Sequence, residues 1–183
     1  ADHYKTLFAG YDVVGLDYHA DNPWEAISEF KEFFHRYRKG YDSIILLANS
    51  IGAYFSMCAL NHERVDKAFF ISPIVDMEKL ILDMMRWADI TEEKLREKQL
   101  ITTGFGETLS WEYLCYVRNH PVNWSVPTYI LYGNKDNLTS QETIHKFAND
   151  VNAELTIMQN GEHWFHTAEQ MSFLEDWIRG LLK

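Results

Sequence analysis

Short apolar runs alternate with amphipathic segments along most of the chain. The runs are rich in leucine and β-branched residues, which is typical of strands buried on both faces of a parallel sheet. The segments between them repeat apolar residues every three or four positions, as amphipathic helices do. This alternation predicts an α/β fold, in which a mostly parallel sheet is flanked by helices and ligands bind at the carboxyl ends of the strands.

The predicted elements lie on either side of one long interval. Predicted strands cover residues 11–18, 43–48, 67–72, 127–133 and 154–159. Predicted helices cover residues 21–40, 51–61, 140–151 and 166–182, after a short helical lead that ends at Gly10. The first long helix has Asn22 as its cap, Pro23 at its first position and Gly40 as its terminator. With 183 residues, 46% of them hydrophobic, we expect a single domain over residues 1–183.

The interval 73–126 is far longer than one crossover helix between adjacent strands requires. Residues 77–90 and 107–120 are helix-like, each with apolar residues along one face. Packing against the body of the domain explains such faces; the alternative is a small helical cap whose apolar underside meets the substrate. An apolar or aromatic substrate portion is suggested by Met77, Met84, Met85, Trp87, Phe105, Trp111 and Tyr113.

A serine stands between a predicted strand and a predicted helix in the stretch "LLANSIGAYF". The chain must turn sharply around Ser50, and its neighbours Ala48 and Gly52 are small where a bulky side chain would collide. Such a turn holds the hydroxyl above the edge of the sheet, with the amide of Ile51 and the helix N-terminus behind it. An ordinary helix-capping role is the alternative for Ser50.

Two further polar residues follow predicted strands. Asp136 lies in "LYGNKDNLT" and His163 in "MQNGEHWFH", so the chain order is Ser, Asp, His. A neutral imidazole accepts the proton of a serine hydroxyl as it attacks, and a carboxylate on the other ring nitrogen fixes the tautomer and stabilises the imidazolium. Ser50, His163 and Asp136 fit these roles, although Asp136 is also an ordinary residue type for a turn.

These residues and loops resemble the α/β-hydrolase superfamily, of the serine esterase or lipase type, in which an elbow serine, a "G-x-x-D" loop and a late "G-x-H" loop occur together. The resemblance covers nearly the whole chain and implies that 73–126 is the family's usual cap. It implies a carboxylesterase-like serine hydrolase acting on a small-molecule ester or related acyl substrate through an acyl-enzyme. Some members take the acid from the preceding strand, which makes Asp76 the alternative to Asp136. A non-catalytic small-molecule binding protein of the same fold is the alternative function.

The sequence departs from the family pattern in two places. The elbow is A-N-S-I-G rather than G-x-S-x-G, and alanine is still small. The backbone N–H of Ile51 is expected as one oxyanion donor, but the family's second donor comes from a loop after its third strand, and no such strand or loop precedes the helical lead. We therefore expect an N-terminally incomplete hydrolase, with residues 11–18 as a strand inside the sheet and an isolated chain that is nearly inactive.

Charge and composition exclude several kinds of partner and cofactor. A formal net charge of -10 disfavours nucleic acid and anionic lipid as partners. No apolar run approaches the roughly 20 residues of a membrane span and no leader opens the chain, so a soluble, cytoplasmic protein is expected. Cys58 and Cys115 are expected to be reduced core thiols. The histidines lack paired ligands and "GFG" at 104–106 lacks the context of a dinucleotide site, so neither a metal nor a cofactor is expected.

Overall fold

A four-stranded parallel sheet forms the centre of the computed structural model, which describes residues 2–182. The strands of this sheet are β1 (Ile45–Asn49), β2 (Lys67–Ile71), β5 (Thr128–Gly133) and β6 (Glu154–Met158), in the order β1-β2-β5-β6. A separate antiparallel hairpin consists of β3 (Leu100–Thr102) and β4 (Thr108–Ser110). Because each strand of the main sheet runs parallel to its neighbour, the loops after all four strands emerge at one edge.

Helices connect the strands and cover the sheet. They are α1 (Asp2–Lys5), α2 (Pro23–Arg38), α3 (Ser50–Leu60), α4 (Met77–Trp87), α5 (Glu92–Lys98), α6 (Trp111–Asn119), α7 (Gln141–Asp150) and α8 (Ala168–Leu181). As predicted, Asn22 caps α2 by accepting the N–H of Glu25, and Pro23 is its first residue. The predicted α/β fold, a mostly parallel sheet flanked by helices, is confirmed.

The strands bury alternate side chains on opposite faces of the sheet. In β2, Ala68 and Phe70 belong to the apolar cluster formed with α2 and α3, whereas Phe69 and Ile71 belong to the cluster on the face covered by α8. All four side chains are buried. Each fully buried large apolar side chain contributes about 1.5–3 kcal/mol, so burial on both faces explains why the strands read as continuous apolar runs.

The prediction of a buried strand at 11–18 is wrong. Residues 12–20 have irregular structure, and Val14 is 41% exposed. An extended segment becomes a strand only by hydrogen bonding to a neighbour. In the described structure no strand pairs with this segment, since β1 has β2 as its only strand neighbour. Just after it, the backbone N–H groups of His19 and Ala20 donate to the carboxylate of Glu29 on α2. An apolar pattern in the sequence does not reveal whether a neighbouring strand is there to pair with the segment.

The segment between β2 and β5 contains more structure than the two helices predicted from its apolar faces. Those helices are present as α4 and α6, while α5 and the hairpin of β3 and β4 were not predicted. Arg118 on α6 donates hydrogen bonds to Glu78 on α4 and to Glu92 on α5, so one side chain links the three helices. Rings of Tyr113 and Tyr116 pack on Trp24 of α2 at centroid distances of 5.9 and 5.2 Å, so this segment contacts the body of the protein.

Among residues 2–182, the helices are all too short or too polar to cross a bilayer.

Candidate active site

Ser50 occupies a sharp turn between β1 and α3. It is the first residue of α3 and follows Asn49, the last residue of β1. Its φ of +48° lies in the left-handed region, which residues with a Cβ rarely adopt and which stores strain at functional sites. The N–H of Ile74 donates to the carbonyl of Ser50 at 3.1 Å. The predicted strand-to-helix turn is therefore present, and the segment that follows β2 holds it in place.

The reason for a small residue at position 52 differs from the one predicted. A Cβ added to Gly52 would lie 3.6 Å from the hydroxyl oxygen of Tyr18, which is ordinary van der Waals contact. A methyl group is thus accommodated, and only a larger side chain would collide. The collision would be with Tyr18, a residue from the segment before α2, rather than with the strand that precedes the turn.

His163 joins Ser50 and Asp136 in one chain of hydrogen bonds. Its Nε2 lies 2.8 Å from the Oγ of Ser50, and its Nδ1 lies 2.7 Å from the Oδ2 of Asp136. Because a carboxylate only accepts hydrogen bonds, the Nδ1 that faces it carries a proton, and in the neutral ring Nε2 is left to accept from the serine hydroxyl. The His163 side chain is only 10% exposed. The structure therefore brings the three predicted residues together across loops that follow three different strands.

Asp136 is held by the backbone of its own loop. Its Oδ1 accepts the N–H of Leu138 at 2.8 Å and the N–H of Thr139 at 3.0 Å, while Oδ2 faces His163. The side chain is fully buried. An aspartate that bonds the N–H two residues ahead forms a local turn that sequence can suggest. Here that turn leaves one carboxylate oxygen free to orient the imidazole.

The loop after β5, which carries Asp136 (the acid loop), and the loop after β6, which carries His163 (the histidine loop), contact each other directly. A Cβ on Gly133 would lie 2.3 Å from the backbone carbon and oxygen of Gly161. The two backbone segments are therefore so close together that only glycine fits at position 133. The N–H of Lys135 donates to the carbonyl of Gly161 at 2.8 Å. The side chain of Asn134 accepts the N–H of Asn160 at 2.7 Å. Sequence reasoning missed these supports, because they join residues far apart in the chain.

Tyr132 and Thr139 stabilise the acid loop through two buried hydrogen bonds. The hydroxyl of Tyr132 donates to the carbonyl of Thr139 at 2.8 Å, and the Thr139 hydroxyl donates to the carbonyl of Pro73 at 3.2 Å. Burial, together with the nearby charge of Asp136, raises the pKa of Tyr132 to about 12, so the phenol remains a hydrogen-bond donor at neutral pH. The loop that carries the acid is thereby tied to the segment after β2.

The first turn of α3 offers unpaired backbone donors beside Ser50. The side chain of Asn49 makes no capping hydrogen bond, in contrast to the N-cap residues of α2 and of α4 to α8. The first N–H groups of a helix have no partner within the helix, and the helix dipole places partial positive charge there. The N–H of Ile51 is in this first turn. It is therefore suitably placed to stabilise negative charge that develops next to Ser50.

The other candidate residues have different surroundings. Asp76 caps α4 by accepting the N–H of Lys79 at 2.9 Å, so its carboxylate serves a helix end and not His163. His166 bonds the carbonyl of Trp164 at 2.6 Å and has an exposed side chain. Burial raises the pKa of Cys58 to about 11, which keeps it a thiol. Within residues 2–182, no group of three or more His, Cys, Asp or Glu residues is placed to hold a metal ion.

Ser72 has an environment that sequence reasoning did not anticipate. It follows β2 directly, has a φ of +43° and is only 1% exposed. Its Oγ is buried without a hydrogen-bond partner in the described structure. The serine after β1 therefore has a base within reach, whereas the serine after the neighbouring strand does not.

Comparison with known proteins gives matches by structure but none by sequence. No protein-family model matches the chain, and no curated protein is similar to it in sequence. Est1E from Butyrivibrio proteoclasticus is 16% identical, with a TM-score of 0.68 over 88% of this chain and 69% of its own. A putative hydrolase from Agrobacterium vitis is 14% identical, with a TM-score of 0.70 over 96% of this chain and 74% of its own. The mouse alpha/beta hydrolase domain-containing protein 10 is 14% identical, with a TM-score of 0.64 over 85% and 69%. At this level of identity the likeness concerns the fold.

Proposed function

Since the chain has the α/β-hydrolase fold, we propose that it is a serine hydrolase that cleaves a carboxylic ester or a related acyl group. The observation that carries this proposal is the continuous chain of hydrogen bonds from Ser50 through His163 to Asp136. Each of the three residues follows a different strand of the sheet, so the arrangement depends on the fold rather than on local sequence.

The chemistry follows from the position of the imidazole. Ser50 Oγ attacks the carbonyl carbon of the ester while His163 Nε2 accepts the hydroxyl proton, and Asp136 stabilises the resulting imidazolium. The tetrahedral intermediate collapses, His163 gives the proton to the departing alcohol, and an acyl group remains on Ser50. A water molecule, activated by the same nitrogen, then releases the acid and restores the serine.

The negative charge on the former carbonyl oxygen needs hydrogen-bond donors that are already in place. The N–H of Ile51 is one candidate, because it lies in the uncapped first turn of α3. A single donor of this kind is typically worth about 3 kcal/mol in the transition state.

Reaction of the folded protein with a fluorophosphonate tests the nucleophile. We expect the label on Ser50, and we expect Ser50→Ala to abolish both labelling and ester turnover. Ser72→Ala is the matched control: that serine also has a positive φ, but its buried hydroxyl has no partner, so the label should be retained. Folded protein that neither reacts nor hydrolyses esters would favour the alternative, a binding protein of the same fold.

We further propose that the segment 73–126 acts as a cap and that the substrate has an apolar or aromatic portion. The support is the apolar character of this segment, where Trp87 and Phe105 are about half exposed and pack edge to face at 6.3 Å. Est1E is also known with ferulic acid bound. A panel of aryl and alkyl esters of graded chain length measures the preference, and a uniform preference for acetate esters would contradict it.

A further inference from the structure

The hydroxyl of Tyr18 lies against the first turn of α3. It would be 3.6 Å from a Cβ placed on Gly52. Gly52 is the third residue of α3, two positions after Ser50 and one after Ile51. The Tyr18 hydroxyl therefore lies beside the helix turn that also contains Ser50 and the N–H of Ile51.

Tyr18 is held in this position from two directions. Its ring packs on Phe30 of α2 at 5.1 Å and on Phe55 of α3 at 5.9 Å, so the body of the side chain is wedged between two helices. The residues that follow it are fixed as well, because the N–H groups of His19 and Ala20 donate to the Glu29 carboxylate.

The hydroxyl so positioned is available as a donor. In the part of the chain that the structure describes, it has no hydrogen-bond partner. Burial, with a smaller effect of the Glu29 charge, raises the pKa of Tyr18 above its ordinary value, so the phenol keeps its proton at neutral pH. An unpaired phenol proton at this helix end is suited to bind an oxygen that becomes negative.

We propose that the Tyr18 hydroxyl donates the second hydrogen bond to the oxyanion of the tetrahedral intermediate, alongside the N–H of Ile51. The proton stays on Tyr18 throughout, so no further group is consumed. The inference rests on the proposed function, and it supplies from within the chain a donor that family resemblance assigned to an upstream loop. Two donors from different segments also fix the direction in which the carbonyl must point as Ser50 attacks.

Tyr18→Phe tests the inference, because the phenylalanine ring keeps the packing on Phe30 and Phe55 and only the hydroxyl is lost. We expect kcat for an aryl ester to fall about 100- to 1000-fold with little change in KM, since the donor acts on the transition state. The melting temperature should not fall, because the hydroxyl has no partner in the described structure. Tyr129→Phe is the matched control, a hydroxyl removed near the start of β5, and it should leave kcat unchanged.

A second measurement separates the donor from a purely structural role. An aryl boronic acid forms a tetrahedral adduct with a reactive serine, and its affinity should fall with kcat in Tyr18→Phe, whereas KM should not change in proportion. An active protein whose Tyr18→Phe variant keeps full kcat and full boronate affinity would overturn the inference and leave the proposed function standing. A folded wild-type protein with no turnover and no Ser50 labelling would overturn both.

Discussion

The two carboxylate oxygens of Asp136 have different hydrogen-bond partners. One carboxylate oxygen accepts two backbone N–H groups, and the other accepts from His163 at 2.7 Å. The alternative acid, Asp76, uses its side chain to cap α4. The two aspartates are therefore distinguishable by one conservative substitution at each position.

We expect Asp136→Asn to lower the rate of acylation by about 10⁴-fold, because the amide no longer holds the imidazole in the tautomer that accepts the serine proton. Asp76→Asn should change neither the rate nor the stability appreciably, because asparagine caps a helix as well as aspartate does. Stopped-flow measurement of acylation and thermal unfolding of both variants check this. A large rate loss in Asp76→Asn with normal rates in Asp136→Asn would reverse the assignment.

At the scale of single residues, the sequence indicates which residue types suit one mechanism but not what holds them in place. The proximity of Ser50, Asp136 and His163 could be predicted because each follows an apolar run, while their roles in catalysis stay a prediction. The supports provided by Thr139 and Tyr132 could not, because a threonine or tyrosine in a polar loop shows no sequence sign of the distant carbonyl that it will bond.

At the scale of elements, the site depends on two loops packed directly on each other. Gly133 ends β5 and Gly161 follows β6, and their backbones touch where any side chain would intervene. The strands are neighbours in register, with Gly133 opposite Met158. This contact sets the distance between the loop that carries Asp136 and the loop that carries His163.

Gly133→Ala should therefore separate the two loops. The added Cβ would lie 2.3 Å from backbone atoms of Gly161, so the two loops must move apart. We expect the free energy of unfolding to fall by about 1–3 kcal/mol. We also expect a large loss of turnover. Gly180→Ala is the control, because a Cβ there meets nothing within 4 Å and alanine stabilises a helix by about 0.5–1 kcal/mol. Denaturant unfolding and ester hydrolysis measure both. Unchanged turnover in folded Gly133→Ala would show that the close contact does not position the site.

Elements with their own local signals were predicted, and elements that depend on a partner were not. Helix α2 has a cap, a proline at its first position and an apolar face, all of which are local. Residues 11–18 have the apolar pattern of a strand, but in the described structure they have no strand to pair with. The hairpin of β3 and β4 was missed because three-residue strands give too short a pattern to read.

At the scale of the whole molecule, the parallel sheet determines where the candidate site residues meet. Strands β1, β5 and β6 end at the same edge, and the residues that follow them converge there although they are separated by up to 113 positions in sequence. Strand β2 lies between β1 and β5, and the segment after it bonds both the carbonyl of Ser50 and the hydroxyl of Thr139. The same topology that buries the apolar runs thus assembles the candidate site.

The net charge of the whole molecule should be visible in the salt dependence of its kinetics. A formal charge of -10 produces a negative long-range field, and Glu162 adds an exposed carboxylate one residue from His163. Added salt shortens the Debye length from about 30 Å at 0.01 M to about 10 Å at 0.1 M, which screens this field.

We therefore expect kcat/KM for a positively charged choline-type ester to fall several-fold as salt rises over this range. With the acyl group held constant, a neutral alkyl ester should be unaffected, and an ester with a carboxylate in its alcohol portion should be hydrolysed faster, because screening removes repulsion. Initial rates at low substrate concentration measure the effect, since kcat/KM includes the encounter step and kcat does not. The same salt response for all three esters would show that the negative field of the molecule does not influence the encounter with substrate.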